Sequence, residues 1–287
     1  MKGKKLKIFV VVTLFLMSSF GNVPVSSNNS LTEGTQFKYN VNKYSIDAKV
    51  NNTEIKQESF SVAGSNAITP GTSAAFFYIT YTGSNTTSVS YTISKGSFNE
   101  SSTIGMGNLP SSENLSLTSL TLQTGLSAIT DITTLPLPYI LPVSNKSDPI
   151  WTTLENNSFK DSSLSVNLQG LSVSSSVKSK VTSDKFEVTL TAKESGSVSG
   201  QNLNSQISSS ITYELATGVL LGFKISLSVD AALLGSSYSG VANIEITRSD
   251  YKFSSSGLPG FDSITMVFTI FSISAIILKV RKNKSVK

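Results

Sequence analysis

The chain has 287 residues, 39% hydrophobic and only 14% charged, with no cysteine and no histidine. Those two absences exclude disulfides, thiolate nucleophiles, histidine-dependent triads and the usual zinc ligand sets. The formal charge is +5, but nine of the 23 basic residues stand at the two ends, leaving 14 basic against 17 acidic residues between Asn22 and Gly260. That mildly acidic balance argues against a nucleic-acid partner.

Small neutral polar side chains take the place of the missing charges: 54 Ser, 28 Thr and 20 Asn. They favour strands, turns and solvated faces over helix interiors. At the start, Lys2, Lys4, Lys5 and Lys7 precede an apolar run over residues 8–17, then Ser18, Ser19 and Gly21. Basic cluster, short apolar run and small residues together make a secretory signal, too short to span a bilayer. Residues 1–27 are therefore expected to be a signal peptide, cut between Gly21 and Ser27, ahead of an extracytoplasmic domain over residues 28–256.

Within that domain, Phe37, Tyr39 and Val41 alternate with polar residues, the period of a half-buried strand. Residues 74–82 and 87–95 read as a hairpin with Phe77, Ile79 and Tyr81 facing Val89, Tyr91 and Ile93, turned by residues 83–86. The middle section, 101–146, carries Leu115, Leu117, Leu120, Leu122 and Leu126, then Pro136, Pro138 and Pro142. A stretch of this length is expected to cover something, as a short helix or a packed loop. Residues 148–155 read as a short helix with Ser147 or Asp148 as N-cap and Pro149 in the first turn, burying Trp151 as a core plug. Alternation returns over 164–173 and 186–192, then in a second hairpin around Ala216, Thr217 and Gly218, and a last strand within 238–253 brings Ile244, Ile246 and Tyr251 inward. The expected fold is mainly β: eight to ten antiparallel strands in a sandwich or a strongly curved sheet, with one or two short helices and a possible sub-division near residue 144.

After a linker at 257–260, residues 261–280 form an apolar stretch of about 20 residues, enough for about 30 Å of helix, the thickness of a bilayer core. Lys279 can snorkel at its inner end, and Arg281, Lys282, Lys284 and Lys287 give a basic tail over 281–287 that belongs on the cytoplasmic side. The expected topology is a single transmembrane helix at the cell membrane with the domain outside. Pro259, Gly260 and Phe261, then the span and the basic tail, resemble the three-part C-terminal signal of archaeal secreted surface proteins, whose tail can be cut and replaced by a lipid. This resemblance covers roughly the last 30 residues and implies anchoring, with no activity attached.

Candidate chemistry is thin. Ser175 and Lys178 have the S-x-x-K spacing of Ser/Lys acyltransferases, but composition alone supplies such pairs and no K-T-G companion exists. In Gly196-Ser197-Val198-Ser199-Gly200 the central residue is Val198, so no nucleophile elbow is present. Glu54 and Glu58 read as solvated carboxylates in strand or loop, Asp184 and Glu187 are isolated, and Lys178, Lys180 and Lys185 read as a solvated strand face. Neither a metal nor a cofactor is expected. Glycosylation sequons fall at Asn28, Asn51, Asn85, Asn99, Asn114, Asn145 and Asn156, all in polar stretches. The favoured expectation is a non-enzymatic surface module for display or for binding an extracellular protein, glycan or lipid. The alternatives are a carrier holding an apolar ligand in a cavity lined by Phe, Leu and Ile, and a carboxylate-based hydrolase.

Overall fold

A computed structural model of the chain describes residues 30–65, 67–85, 88–105, 138–158, 161–168, 171–198, 201–233 and 236–253. The expected signal peptide, the leucine-rich stretch 115–126 and the C-terminal anchor, including Pro259, Gly260, Phe261, Lys279, Arg281 and Lys282, lie outside the described residues. No helix among the described residues is long and apolar enough to cross a membrane.

The strands are β1 (Gln36–Val50), β2 (Thr53–Gln57), β3 (Phe76–Ser84), β4 (Ser88–Lys95) and β5 (Phe98–Gly105), then β6 (Ser162–Leu168), β7 (Leu171–Val181), β8 (Lys185–Val198), β9 (Gln201–Glu214), β10 (Leu220–Leu233) and β11 (Ser236–Arg248). Among the described residues between β5 and β6 stands one short helix, α1 (Pro149–Thr153), continued by a π turn over Leu154–Ser158. All eleven strands join one antiparallel sheet in the order β5-β4-β3-β1-β11-β10-β9-β8-β7-β6, with β2 also paired to β1. Of the two expected arrangements, the strands take the single-sheet one. Strand β1 is the hinge of this order, because Gln36–Asn40 pair with β3, Ile46–Val50 pair with β2, and the other side of the strand pairs with β11.

The first hairpin follows its sequence pattern closely. Phe77, Ile79 and Tyr81 on β3 and Val89, Tyr91 and Ile93 on β4 are buried, with Ile79 opposite Ile93 and Tyr81 opposite Tyr91. Elsewhere the strands are more numerous and longer than expected. The single strand expected over 164–173 is a hairpin, since the chain reverses between Leu168 and Leu171, which pair with each other. Leu164, Val166 and Leu168 alternate, but the step of three to Leu171 breaks the period, and that break is the turn. Strand β8 runs six residues past the expected end at Ala192 and is followed by β9, a strand of 14 residues.

The core runs along the inner face of the sheet, from Tyr39 and Tyr213 near one end to Ile46, Ile207 and Leu227 farther along the strands. Tyr139, Ile140, Leu141 and Val143 are all buried there, so part of the proline-punctuated run packs against the sheet. Ile140 bridges to Val219, the Leu141 N–H donates to the Gly218 carbonyl (2.9 Å), and the Leu220 N–H donates to the Tyr139 carbonyl (2.9 Å). Gly218 has φ +70°, and a Cβ there would stand 2.5 Å from the Leu141 oxygen, so only glycine fits. Asp148 caps α1 by accepting from the Ile150 N–H (3.0 Å), while its other oxygen accepts from the Ser144 N–H and hydroxyl (both 2.8 Å). Trp151 is buried as expected, its ring 5.7 Å from Phe186 and its indole N–H donating to the Leu215 carbonyl (3.2 Å).

Candidate functional site

The residues singled out for catalysis are not brought together. Ser175 and Lys178 lie three apart on strand β7, hence on opposite faces, and Ser175 faces Ala192 in the register. Glu54 on β2 and Glu58 just beyond it are exposed, and Glu58 pairs with Lys56 at 3.2 Å. Asp184 lies in the turn before β8, where its carboxylate accepts from the Ser183 hydroxyl at 3.3 Å. Glu187 stands opposite Lys180, and Lys178 and Lys180 are exposed as expected, whereas Lys185 is partly buried with its ammonium 5.4 Å from the Tyr251 ring centroid. No group of three acidic residues among the described residues could hold a metal ion.

Five of the sequon asparagines lie among the described residues. Asn51, Asn85, Asn99, Asn145 and Asn156 are all exposed, whereas Asn28 and Asn114 lie outside the described residues. Asn51 takes φ +54° in the turn after β1, where its side-chain oxygen accepts from the Ser237 N–H (2.9 Å).

Under the sheet, four tyrosines meet. Tyr139 makes edge-to-face contacts with Tyr39 (5.4 Å), Phe77 (5.6 Å) and Tyr91 (6.2 Å). The phenol of Tyr39 donates to the Leu220 carbonyl, that of Tyr213 donates to the Pro138 carbonyl (2.9 Å), and that of Tyr91 accepts from the Tyr139 N–H (3.2 Å). Burial pushes the Tyr39 and Tyr213 phenols well above the ordinary tyrosine range and raises Tyr91 as well. Hydrogen-bonded and buried, these side chains belong to the hydrophobic core.

Two surface features of the described residues stand apart from the core. A groove of about 540 Å³ lies at the ends of the β8–β9 and β10–β11 hairpins, lined by Lys193, Ser195, Asn202, Asn204, Asp230 and Ser237 together with Gly196, Leu203 and Ala231. Ser195, Asn204, Asp230 and Ser239 are successive register partners, so one row of β8 to β11 carries hydroxyl, amide and carboxylate side by side. The sequence reading missed this groove, whose only signal is the alternation of Asn202 and Asn204 around Leu203. It also missed Glu194, a fully buried carboxylate opposite Ser205, whose hydroxyl reaches it at 3.5 Å.

The second surface is on β1, β3 and β4. The Phe76 ring has the Lys95 ammonium 3.9 Å and the Lys38 ammonium 4.1 Å from its centroid, with Tyr78 edge-on at 5.5 Å. All four residues are partly exposed.

Beyond β11, Tyr251 and Phe253 lie against Gly222, where a Cβ would stand 2.9 Å from either ring, and the Tyr251 hydroxyl meets Thr212 at 3.3 Å. The last strand is expected to bring Tyr251 inward, but β11 ends at Arg248 and Tyr251 is half-buried on the outer face, since Gly222 and Thr212 point away from the core residues Phe223 and Ile211 beside them. No protein-family model, curated protein or solved structure matches the chain.

Proposed function

We propose that the chain is a membrane-anchored cell-surface protein whose β domain faces outward as a non-enzymatic display or binding module. The observation that carries this reading is the distribution along the sheet of its hairpins and of the first and last described residues, Ser30 and Phe253. The start of β1, the β7–β8 and β9–β10 turns and residues 249–253 gather at one end, where Ser30 donates to the Ala216 carbonyl (3.1 Å) and the Leu215 N–H donates to the Asp184 carbonyl (2.9 Å). Hairpins β1–β2, β6–β7, β8–β9 and β10–β11 end together at the other. Strands of 14 residues separate the two ends by about 45 Å at about 3.3 Å per residue. An anchor following Phe253 would hold the tyrosine-packed end toward the membrane and project the four hairpins and their polar groove outward. The exposed sequons agree with an external domain.

A polar lining, with Leu203 its one large aliphatic residue, favours a hydrogen-bonding partner over the apolar ligand of a carrier. Protease added to intact cells is expected to release fragments of the domain between residues 28 and 256 while the cells stay sealed. Full protection of the domain in sealed cells, with digestion only after lysis, would overturn the topology.

A further inference from the structure

Lys38 on β1 and Lys95 at the end of β4 come from strands separated by β3, yet both ammonium groups converge on Phe76. Among the described residues neither ammonium meets a carboxylate; the one hydrogen bond Lys95 makes with its ammonium goes to the Ala74 carbonyl. Ring contacts of this kind hold a cation in place without neutralising it. The result is two positive charges fixed on one aromatic side chain. Around them stand neutral hydrogen-bonding groups: Tyr78, Ser94 and Asn99 follow Lys38 as successive register partners, and Asn40 lies opposite Phe76. Lys95 itself pairs with Phe98, an exposed ring at the β4–β5 turn.

We propose that this patch is a binding site for an acidic glycan, the anionic group of a uronate or sulfated sugar lying between Lys38 and Lys95. The sugar's C–H face would stack on the aromatic edge formed by Phe76 and Tyr78, and its hydroxyls would meet Asn40, Ser94 and Asn99. Burial and the neighbouring Lys38 charge hold the Lys95 ammonium below the ordinary lysine range, so the unliganded patch carries a repulsion that an anion relieves. The Ser and Asn surroundings suit a hydroxylated ligand better than the apolar interior of a bilayer. This inference extends the display reading with a ligand class and does not depend on topology, because binding is measured on purified protein and would leave a protease-shaving result untouched.

The test is calorimetric titration of the purified full chain in detergent with dextran sulfate, polygalacturonate and uncharged dextran. Binding of at least one anionic polymer, with no binding of uncharged dextran, is expected. The Lys38→Gln, Lys95→Gln double variant should weaken binding at least tenfold, whereas Lys178→Gln, Lys180→Gln, two exposed lysines on β7, should leave it within twofold. Circular dichroism of each variant should overlay the parent. If the β7 variant weakens binding as much, the attraction is diffuse and the site does not exist. Binding to phosphatidylglycerol vesicles in place of the polysaccharides, or no binding to any anionic polymer, would equally overturn the proposal.

Discussion

Arg248 shows how a mildly acidic β domain uses its few charges. Its guanidinium donates to Asp250 (2.6 and 3.0 Å) and to Glu214 (3.2 and 3.4 Å), and Glu214 also accepts from the Thr217 hydroxyl (2.6 Å). Burial alone would raise the Glu214 carboxyl, but the bonds from Arg248 and Thr217 outweigh it and hold the group below the ordinary range. Asp250 is held down chiefly by its bond from Arg248. Carboxyls with depressed folded values contribute stability above the ordinary carboxylate range and lose it as pH falls through the folded values. Arg248→Gln is therefore expected to lower stability at pH 7 by about 1–2 kcal/mol, a modest figure because the carboxylates are part-exposed. In urea melts the gap between parent and variant should narrow as pH falls through the lowered folded values of both carboxyls, below the ordinary carboxylate range; a gap independent of pH would refute the assignment. At the alkaline end the sign reverses. Burial raises Tyr39, Tyr213 and Tyr91 and lifts Tyr44 to about 12, so their stabilising contribution is complete below about pH 10 and is lost above it. The share of tyrosinate absorbance that comes from these four residues is expected to rise in one cooperative step together with loss of the far-ultraviolet β signal.

At the scale of elements, what the sequence showed depended on whether a strand kept its apolar period. Strands β3 and β4 do so without interruption, and their faces were legible down to individual residues. Past Ala192, β8 and β9 place Glu194 and Ser205 on the inward row, so polar residues occupy both faces and period-based reading stops early. The groove at those hairpin ends went unseen for the same reason, since its lining is indistinguishable in sequence from the Ser- and Asn-rich background. The helix was legible because capping is local: Asp148 and Pro149 announce α1 without reference to the rest of the fold. Asp148 also carries a load the sequence does not reveal, satisfying the Ser144 N–H as well as that of Ile150. Asp148→Ala should cost about 2 kcal/mol, at the upper end for a cap, because a second donor loses its partner. Asp148→Asn, which keeps an acceptor, should recover part of that loss in the same denaturant melt. Equal losses for both would indicate that the negative charge, rather than the acceptor geometry, stabilises this corner.

For the whole molecule the open question from the sequence was whether the chain divides near residue 144. Strand β1 hydrogen-bonds to β3 from the first half and to β11 from the second, which leaves no gap in the sheet at the proposed boundary. Residues 138–143 add a second tie. Tyr139 packs against Tyr39, Phe77 and Tyr91 from the first half, while the adjoining Pro138 carbonyl accepts from Tyr213 and Leu141 binds Gly218 in the second. Neither half can lose its packing without stripping partners from the other, so unfolding should be one transition. Fluorescence of Trp151, set between Phe186 and the Leu215 carbonyl, reports on the second half. Amide exchange along β3 and β4 reports on the first. The exchange free energies of Ile79, Tyr91 and Ile93 are expected to match those of Val188, Ile211 and Phe223 and the global value from fluorescence. Tyr139→Ala should lower all of them together by about 3–5 kcal/mol, the usual range for a buried aromatic. Selective loss of protection in β3 and β4, with β8 to β10 unchanged, would show that the chain is two units that merely share an edge.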